Sequence, residues 1–280
     1  MVLDLIKAAV LGTVQGISEF LPLSSTGHLI LVEELLDVDQ DEYGLPFDAA
    51  LHLGTLVSVL WYFRGRWLRL VAGALRAVRE RSLADAEGRL AWLIVLGTVP
   101  AAAIGLAVED LAEDAFRSTV LVASMLIAFS AVFIAAEAYS RRERAIGDLS
   151  WQDAVAIGFA QALALVPGVS RSGATISAGL FRHVERRQAA EFAFLLSAPV
   201  IAGAGAKQSF DVLRDFAEGR LGGEDAAFFA VGFVCAAVVG YASIRFLLRY
   251  LATNRLHAFA AYRVALGVAV LAALGWDRWL

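Results

Sequence analysis

Polarity along this chain changes in long blocks. Apolar runs of about the 17 to 25 residues that a helix needs to cross a bilayer fall at Phe47–Phe63, Leu90–Val108, Ser118–Tyr139, Ala189–Ala206, Ala226–Leu248 and Leu256–Gly275. Two further apolar stretches are broken at their centres. In the first, residues 1–20 predict a helix that ends in a polar motif, Pro22 stops it, and residues 26–36 predict a second short helix. In the second, Trp151–Val166 predicts a helix stopped at Pro167-Gly168, and a second apolar run leads to Arg182, Arg186 and Arg187. Each stretch is too polar in the middle and too short beyond it for two full spans. Both are expected to be re-entrant hairpins, because broken backbone at membrane depth is tolerated only where it is buried in protein or lines a cavity.

The two broken stretches recur at one offset. Pro22 and Pro167 are 145 residues apart, as are Phe47 and Phe192, each opening the next span; GTVQGISEFLP and GFAQALALVP both carry Gly-x-x-Gln ahead of the proline. The expected architecture is an all-α polytopic membrane protein in one integral membrane domain, 1–280. Its halves, 1–145 and 146–280, each hold one re-entrant hairpin and three transmembrane helices. Three crossings per half invert the second half relative to the first, giving an inverted repeat.

Charge fixes an orientation. The stretch Arg64–Arg89 holds seven Arg and three acids, so the positive-inside rule puts it in the cytoplasm. Counting crossings then places the Arg-rich Ser140–Ser150, Arg182–Arg187 and Arg249–Arg255 on the same side. The acid-leaning Asp37–Glu42, Glu109–Arg117 and Lys207–Asp225 fall outside. The first hairpin thus enters from the outer face and the second from the cytoplasm, with tips that can meet inside the membrane. Composition agrees: 59% of the 280 residues are hydrophobic, and 19% are charged against about 25% in soluble domains. The net charge of −4 argues against a nucleic-acid partner. The one cysteine, Cys235, lies in an apolar run and has no internal disulfide partner. The first segment lacks the basic region and cleavage site of a removed signal peptide and is expected to be retained.

The chemistry sits at the breaks. In QGISEFLPLSSTGH (residues 15–28) Gln15 and Glu19 are four apart and share a helix face; Ser24, Ser25 and Thr26 are helix-start residues; Gly27 permits a tight turn; His28 opens the next helix. In PGVSRSGAT (residues 167–175) the permanent cation Arg171 is flanked by Ser170, Ser172 and Gly173 at a helix start. Glycines let backbone approach a ligand, helix N-termini present free N–H groups to anions, and the guanidinium fork matches phosphate oxygens. This points to a phosphate or diphosphate. His28 is then a nucleophile or a general acid, Ser25 a nucleophile or a phosphate contact, and Glu19 a general base, an orienter of His28 or a metal ligand. An unpaired carboxylate at depth is costly, so Glu19 needs Arg171, His28 or a cation beside it. Asp48 and His52, four apart on the next span, can line the same cavity or serve helix packing. Glu137, Glu191, His183 and His257 sit near span ends, where interfacial roles dominate. The chain has no zinc-spaced Cys/His cluster, P-loop or dinucleotide fingerprint.

Together the two motifs resemble the undecaprenyl-diphosphate phosphatase family, also called the bacitracin-resistance protein family. Gln15 and Glu19 fit its Glu/Gln-x-x-x-Glu, residues 24–28 its Ser-Ser-Thr-Gly-His, and residues 167–173 its Pro-Gly-x-Ser-Arg-Ser-Gly. FDAALHLGTLVSV and FAFLLSAPVIAG are similar to the spans that follow each motif. The resemblance implies six spans and two re-entrant hairpins, and hydrolysis of a C55 polyprenyl diphosphate to the monophosphate plus inorganic phosphate. It implies dependence on Mg²⁺ or Ca²⁺, for which Glu19 is the candidate ligand. It also implies a catalytic group of Glu19, Ser25, His28 and Arg171, and binding roles for Gln15, Ser24, Thr26, Gly27, Ser170, Ser172 and Gly173. The place it implies is the plasma membrane among lipids, with the site open to the outer face and the lipid carrier recycled for envelope synthesis. Gln15 leaves one carboxylate where a two-carboxylate metal site needs a pair. The Arg and His spacing of acid-phosphatase-type lipid phosphatases is missing, since His183 is twelve residues from Arg171. The rival reading is a lipid-phosphate transporter or flippase with the same anion site, because broken helices at the midplane are common in transporters.

Overall fold

The computed structural model describes residues 2–38, 44–115, 118–218 and 222–276. Parts of the acidic loops expected at 37–42, 109–117 and 207–225 lie outside them. Eleven α-helices run through the described residues: α1 Val2–Ser18, α2 Ser25–Leu36, α3 Gly44–Tyr62, α4 Arg64–Glu80, α5 Ala86–Ala115, α6 Thr119–Tyr139, α7 Trp151–Ala162, α8 Arg171–Phe181, α9 Arg186–Ala217, α10 Gly223–Tyr250 and α11 His257–Trp276. No strand forms among them; an isolated bridge joins Arg144 to Val184.

Among the described residues five helices are long and apolar enough to cross a membrane, over Ala86–Val108, Thr119–Tyr139, Arg186–Ala206, Asp225–Tyr250 and His257–Gly275. The sixth expected span is α3, an intact helix of 19 residues that carries Asp48 and His52 and falls outside those five. Sequence underestimated helix elsewhere. α5 continues past Val108 to Ala115, and α9 past Ala206 to Ala217, because a helix leaving the bilayer loses its apolar requirement without losing its hydrogen bonds. The Arg-rich stretch after Phe63 is helical as α4. It buries Leu70, Gly73 and Ala77 against α5 and exposes Leu68, Val71, Leu75 and Val78.

Small residues let the backbones close up, as helix packing without a hydrophobic drive requires. A Cβ at Gly12 or Gly16 of α1 would meet backbone of α10 at Gly232 or Gly240, and one at Gly158 of α7 would meet the carbonyl of Gly97 in α5. α9 lies near the centre, touching α3, α5, α8 and α10, with Phe192, Phe194, Leu195 and Leu196 fully buried.

The basic segments gather at one end of the bundle. Glu137, at the end of α6, takes the guanidinium of Arg186 through contacts of 2.6 to 2.9 Å, the Leu256 N–H at 3.0 Å and Arg142 at 3.7 Å. Asp153, near the start of α7, is held by Arg144 at 2.6 Å and by Arg182. Burial acts to raise the Asp153 pKa, but the hydrogen bonds from Arg144, Ser150 and Arg182 outweigh it and hold the carboxyl well below the usual carboxylate range. The Asp153–Arg182 pair also ties the start of α7 to the end of α8. The α1–α2 pair closes differently, with Lys7 Nζ donating to the Asp37 carbonyl at 2.9 Å.

Candidate active site

The two helix breaks meet inside the bundle, and the bonds between them are specific. The Gly168 N–H donates to Ser24 Oγ at 3.1 Å, and Ser172 Oγ donates to the Leu21 carbonyl at 3.1 Å. Corresponding residues shape both breaks. Ser24 precedes α2 with φ 81° and Ser170 precedes α8 with φ 75°. A serine in this left-handed half of the map costs on the order of 1–3 kcal/mol and persists only where its surroundings impose it. In return Ser25 and Arg171 become the first residues of their helices, and both side chains face the same space. Ser170 Oγ caps α8 by accepting from the Gly173 N–H at 3.2 Å and lies 3.2 Å from Ser172 Oγ. The Ser24 hydroxyl makes no cap within its own helix and serves the neighbouring break.

Glu19 is the hub. Its side chain is 3% exposed and forms an ion pair with Arg171, itself 19% exposed. Ser25 Oγ donates to Oε2 at 2.7 Å, Gln15 Nε2 donates to the same oxygen at 3.2 Å, and His52 Nε2 lies 3.6 Å from it. The His52 Nδ1–H is given to the Asp48 carbonyl at 2.8 Å. The expected helix face of Gln15 and Glu19 is therefore formed, and the cation nearest the carboxylate comes from the other half of the chain.

His28 faces another way. Its Nδ1–H donates to the Ser24 carbonyl at 2.8 Å, and Nε2 lies 2.8 Å from the Tyr262 hydroxyl, with the two rings stacked at 5.7 Å between centroids. The imidazole is thus held by α11 beside the break and makes no hydrogen bond to Glu19. The next residue, Arg263, is fully buried. It donates to the Gly168 carbonyl at 2.7 Å and to Ser130 Oγ at 3.3 Å, and stacks over the Phe133 ring at 4.9 Å. A Cβ at Gly173 would strike that ring, and one at Gly27 would come within 2.9 Å of Val122. The two glycines thus pack the breaks against α6 and touch the site through backbone.

A cavity of about 240 Å³ opens beside Glu19. Its polar lining is Ser24, Ser25, Thr26, Ser170, Arg171, His52 and, from α7, Gln161; Leu165, Val200, Ile201 and Ala204 are among its apolar lining. Its lining thus combines hydroxyls and one guanidinium with apolar side chains. Sequence reasoning did not single out Tyr262, Arg263 or Gln161 as site residues. For Arg263 the signal was available: a lone cation deep in an apolar run is a functional candidate by default. Among the described residues no group of three His, Cys, Asp or Glu side chains converges, so a cage made of protein ligands alone is not built here. Glu19 and the buried Gln15 Oε1, which has no protein partner, fit a cation that draws its other ligands from substrate phosphates and water, as Mg²⁺ commonly does.

Spanning helices wrapped around a buried, ion-paired polar centre define a multi-pass membrane protein whose site is made where two interrupted helices touch. The chain belongs to the family described as bacitracin resistance protein BacA, which matches residues 8–269. It is 51% identical over 273 residues to an undecaprenyl-diphosphatase of Rubrobacter xylanophilus, covering 97% of this chain and 99% of that protein. It is 42% identical over 270 residues to an undecaprenyl-diphosphatase of Mycolicibacterium smegmatis, covering 96% of each. With a protein of the same name from Thermomicrobium roseum it shares 41% identity over 283 residues.

Proposed function

We propose that this chain hydrolyses undecaprenyl diphosphate to the monophosphate and inorganic phosphate, and so returns the lipid carrier to envelope glycan synthesis. The observation that carries the assignment of roles is the Glu19 carboxylate, held between Arg171 on one side and Ser25 Oγ, 2.7 Å away, on the other. A hydroxyl hydrogen-bonded to an oriented carboxylate is a nucleophile with its base in place. Ser25 Oγ attacks the terminal phosphorus and gives its proton to Glu19. The bond from that phosphorus to the bridging oxygen breaks, and the lipid monophosphate leaves. Glu19 gives the proton it took to the departing phosphate oxygen and is a carboxylate again. Water then attacks the phosphorus on Ser25, and Glu19 takes a proton from that water and returns it to Ser25 Oγ as the Oγ–P bond breaks. Arg171 and the N–H groups at the starts of α2 and α8 hold the transferring phosphoryl oxygens and offset charge as it develops. Ser24, Thr26, Ser170 and Ser172 shape that cradle, Gly27 and Gly173 let its backbone pack close, and His28 with Tyr262 and Arg263 fixes the two breaks. A divalent cation, Mg²⁺ or Ca²⁺, would be held by Glu19 and Gln15 together with the diphosphate and would supply further charge neutralisation.

The contacts also support an inverted repeat with α3 as the sixth span. Matching α1, α2, α3, α5 and α6 with α7, α8, α9, α10 and α11 turns the α1–α10 contact into α7–α5 and α3–α10 into α9–α5. The α3–α9 and α6–α11 contacts map onto themselves, and all of these pairs touch. On this reading both helix pairs are re-entrant. The basic end lies in the cytoplasm, and the cavity is reached from the outer face.

The test is phosphate release by the purified protein in detergent. Wild type should produce one phosphate per polyprenyl monophosphate. Ser25→Ala and Glu19→Gln should each lose at least about 100-fold, the usual worth of a positioned nucleophile or base. Lipid movement across liposomes without phosphate release would overturn the hydrolase assignment, and full activity in either variant would remove that residue from the chemistry.

A further inference from the structure

Gln161 stands one helical turn before the second break, on the α7 face that continues into Ala164 and Leu165, and it is 2% exposed. Neither its Nε2 nor its Oε1 has a protein hydrogen-bond partner. Among the described residues it alone combines such orphaned atoms with a place in the wall of the cavity that holds Arg171. Its internal counterpart Gln15, the other Gln of the repeated Gly-x-x-Gln, spends its amide N–H on Glu19 at 3.2 Å. The position of Gln161 is stiff: three residues earlier, Gly158 lies against the Gly97 carbonyl, with no room for a Cβ, and this fixes the depth of α7 against α5. A buried amide without a partner carries the full cost of its desolvation. Leucine has nearly the same volume and would avoid that cost.

The neighbours of Gln161 indicate what it meets. Gln161 lines one cavity with the polar Ser170 and Arg171 and with the apolar Leu165, Val200 and Ile201. In a polyprenyl diphosphate one chemical group occupies the junction between charge and hydrocarbon: the phosphate that stays on the lipid. We infer that Gln161 is a substrate-binding residue, its amide N–H groups donating to the non-bridging oxygens of that lipid-linked phosphate while Arg171 takes the terminal one. The inference rests on the assignment of Arg171 to the terminal phosphate.

The experiment compares wild type, Gln161→Leu and Arg171→Ala as full-length protein in detergent, with undecaprenyl diphosphate as substrate. Inorganic phosphate and undecaprenyl monophosphate serve as inhibitors. Gln161→Leu should raise KM and the inhibition constant of the monophosphate about tenfold each, the ordinary worth of a hydrogen bond to a charged group. Its kcat should stay within about threefold, because this phosphate is bound alike in ground and transition states. Its inhibition constant for inorganic phosphate should stay within about twofold. Its melting temperature should equal or exceed that of wild type. Unchanged KM and monophosphate inhibition would overturn the inference, and so would both inhibitors weakening together, the sign of a loosened pocket. Gln161→Met is judged by the same criteria if the leucine variant fails to fold. An inactive Arg171→Ala beside a wild-type-like Gln161→Leu defeats this inference alone, whereas a fully active Arg171→Ala defeats the site assignment beneath it.

Discussion

Removing the guanidinium that neutralises Glu19 should damage stability and chemistry by separable amounts. In Arg171→Ala the carboxylate stays where it is, 3% exposed, and keeps Ser25, Gln15 and His52 as neighbours. Breaking a buried ion pair from one side costs about 3–5 kcal/mol. The donors that remain offset part of this, which leaves about 2–3 kcal/mol. Glu19→Gln should cost less, because the charge left behind belongs to Arg171, which is 19% exposed and can turn toward water. The double variant Glu19→Gln/Arg171→Ala buries no charge. It should recover most of the loss, with a coupling of about 1–3 kcal/mol. Activity should not recover: the double variant, like Arg171→Ala, should release phosphate at least about 1,000-fold more slowly than wild type, since an arginine on a transferring phosphoryl group contributes on that scale. The assays are unfolding in detergent followed by tryptophan fluorescence, and phosphate release. Single variants whose stability costs simply add, or an Arg171→Ala protein as stable as wild type, would refute the view that Glu19 depends on a cation from the other half of the chain.

Two further outcomes follow from the same geometry. Ser24→Ala deprives the Gly168 N–H of its acceptor across the breaks; unfolding should show a loss of about 1–3 kcal/mol, the cost of one buried unsatisfied donor, together with a slower phosphate release. Chelation by EDTA should abolish activity, with Mg²⁺ or Ca²⁺ restoring it, and Gln15→Ala should need a higher metal concentration for half-maximal rate.

Much of this arrangement was legible in the chain. Pro22 and Pro167 marked the breaks because each is followed by serines and a glycine that start a new helix, whereas Pro100 and Pro199 lie inside α5 and α9. The need of Glu19 for a cation followed from the cost of a bare carboxylate at depth. Helix extent was less legible. Hydropathy reports where lipid stops, not where hydrogen bonding stops, so the polar turns of α5 and α9 and the whole of α4 read as loops. The orientation of His28 was hidden because Tyr262 lies 234 residues away and its hydroxyl competes for the ring. His52 could be placed on the right face of its helix but not against Glu19, since that depends on how α3 packs. Gln161 had a signal in the repeat, yet only the packed structure distinguishes an amide that has found a partner, like Gln15, from one that has not.

The distance along the polypeptide between Glu19 and Arg171, 152 residues, bears on biosynthesis. At about 5–20 residues per second, a ribosome that has finished the acid needs roughly 8–30 seconds to add the arginine. Throughout that interval the nascent first half holds an acidic group without its guanidinium partner, so the group must stay protonated, stay wet or be sheltered by the insertion machinery. The order of translation therefore makes the earliest helix pair wait for the later one.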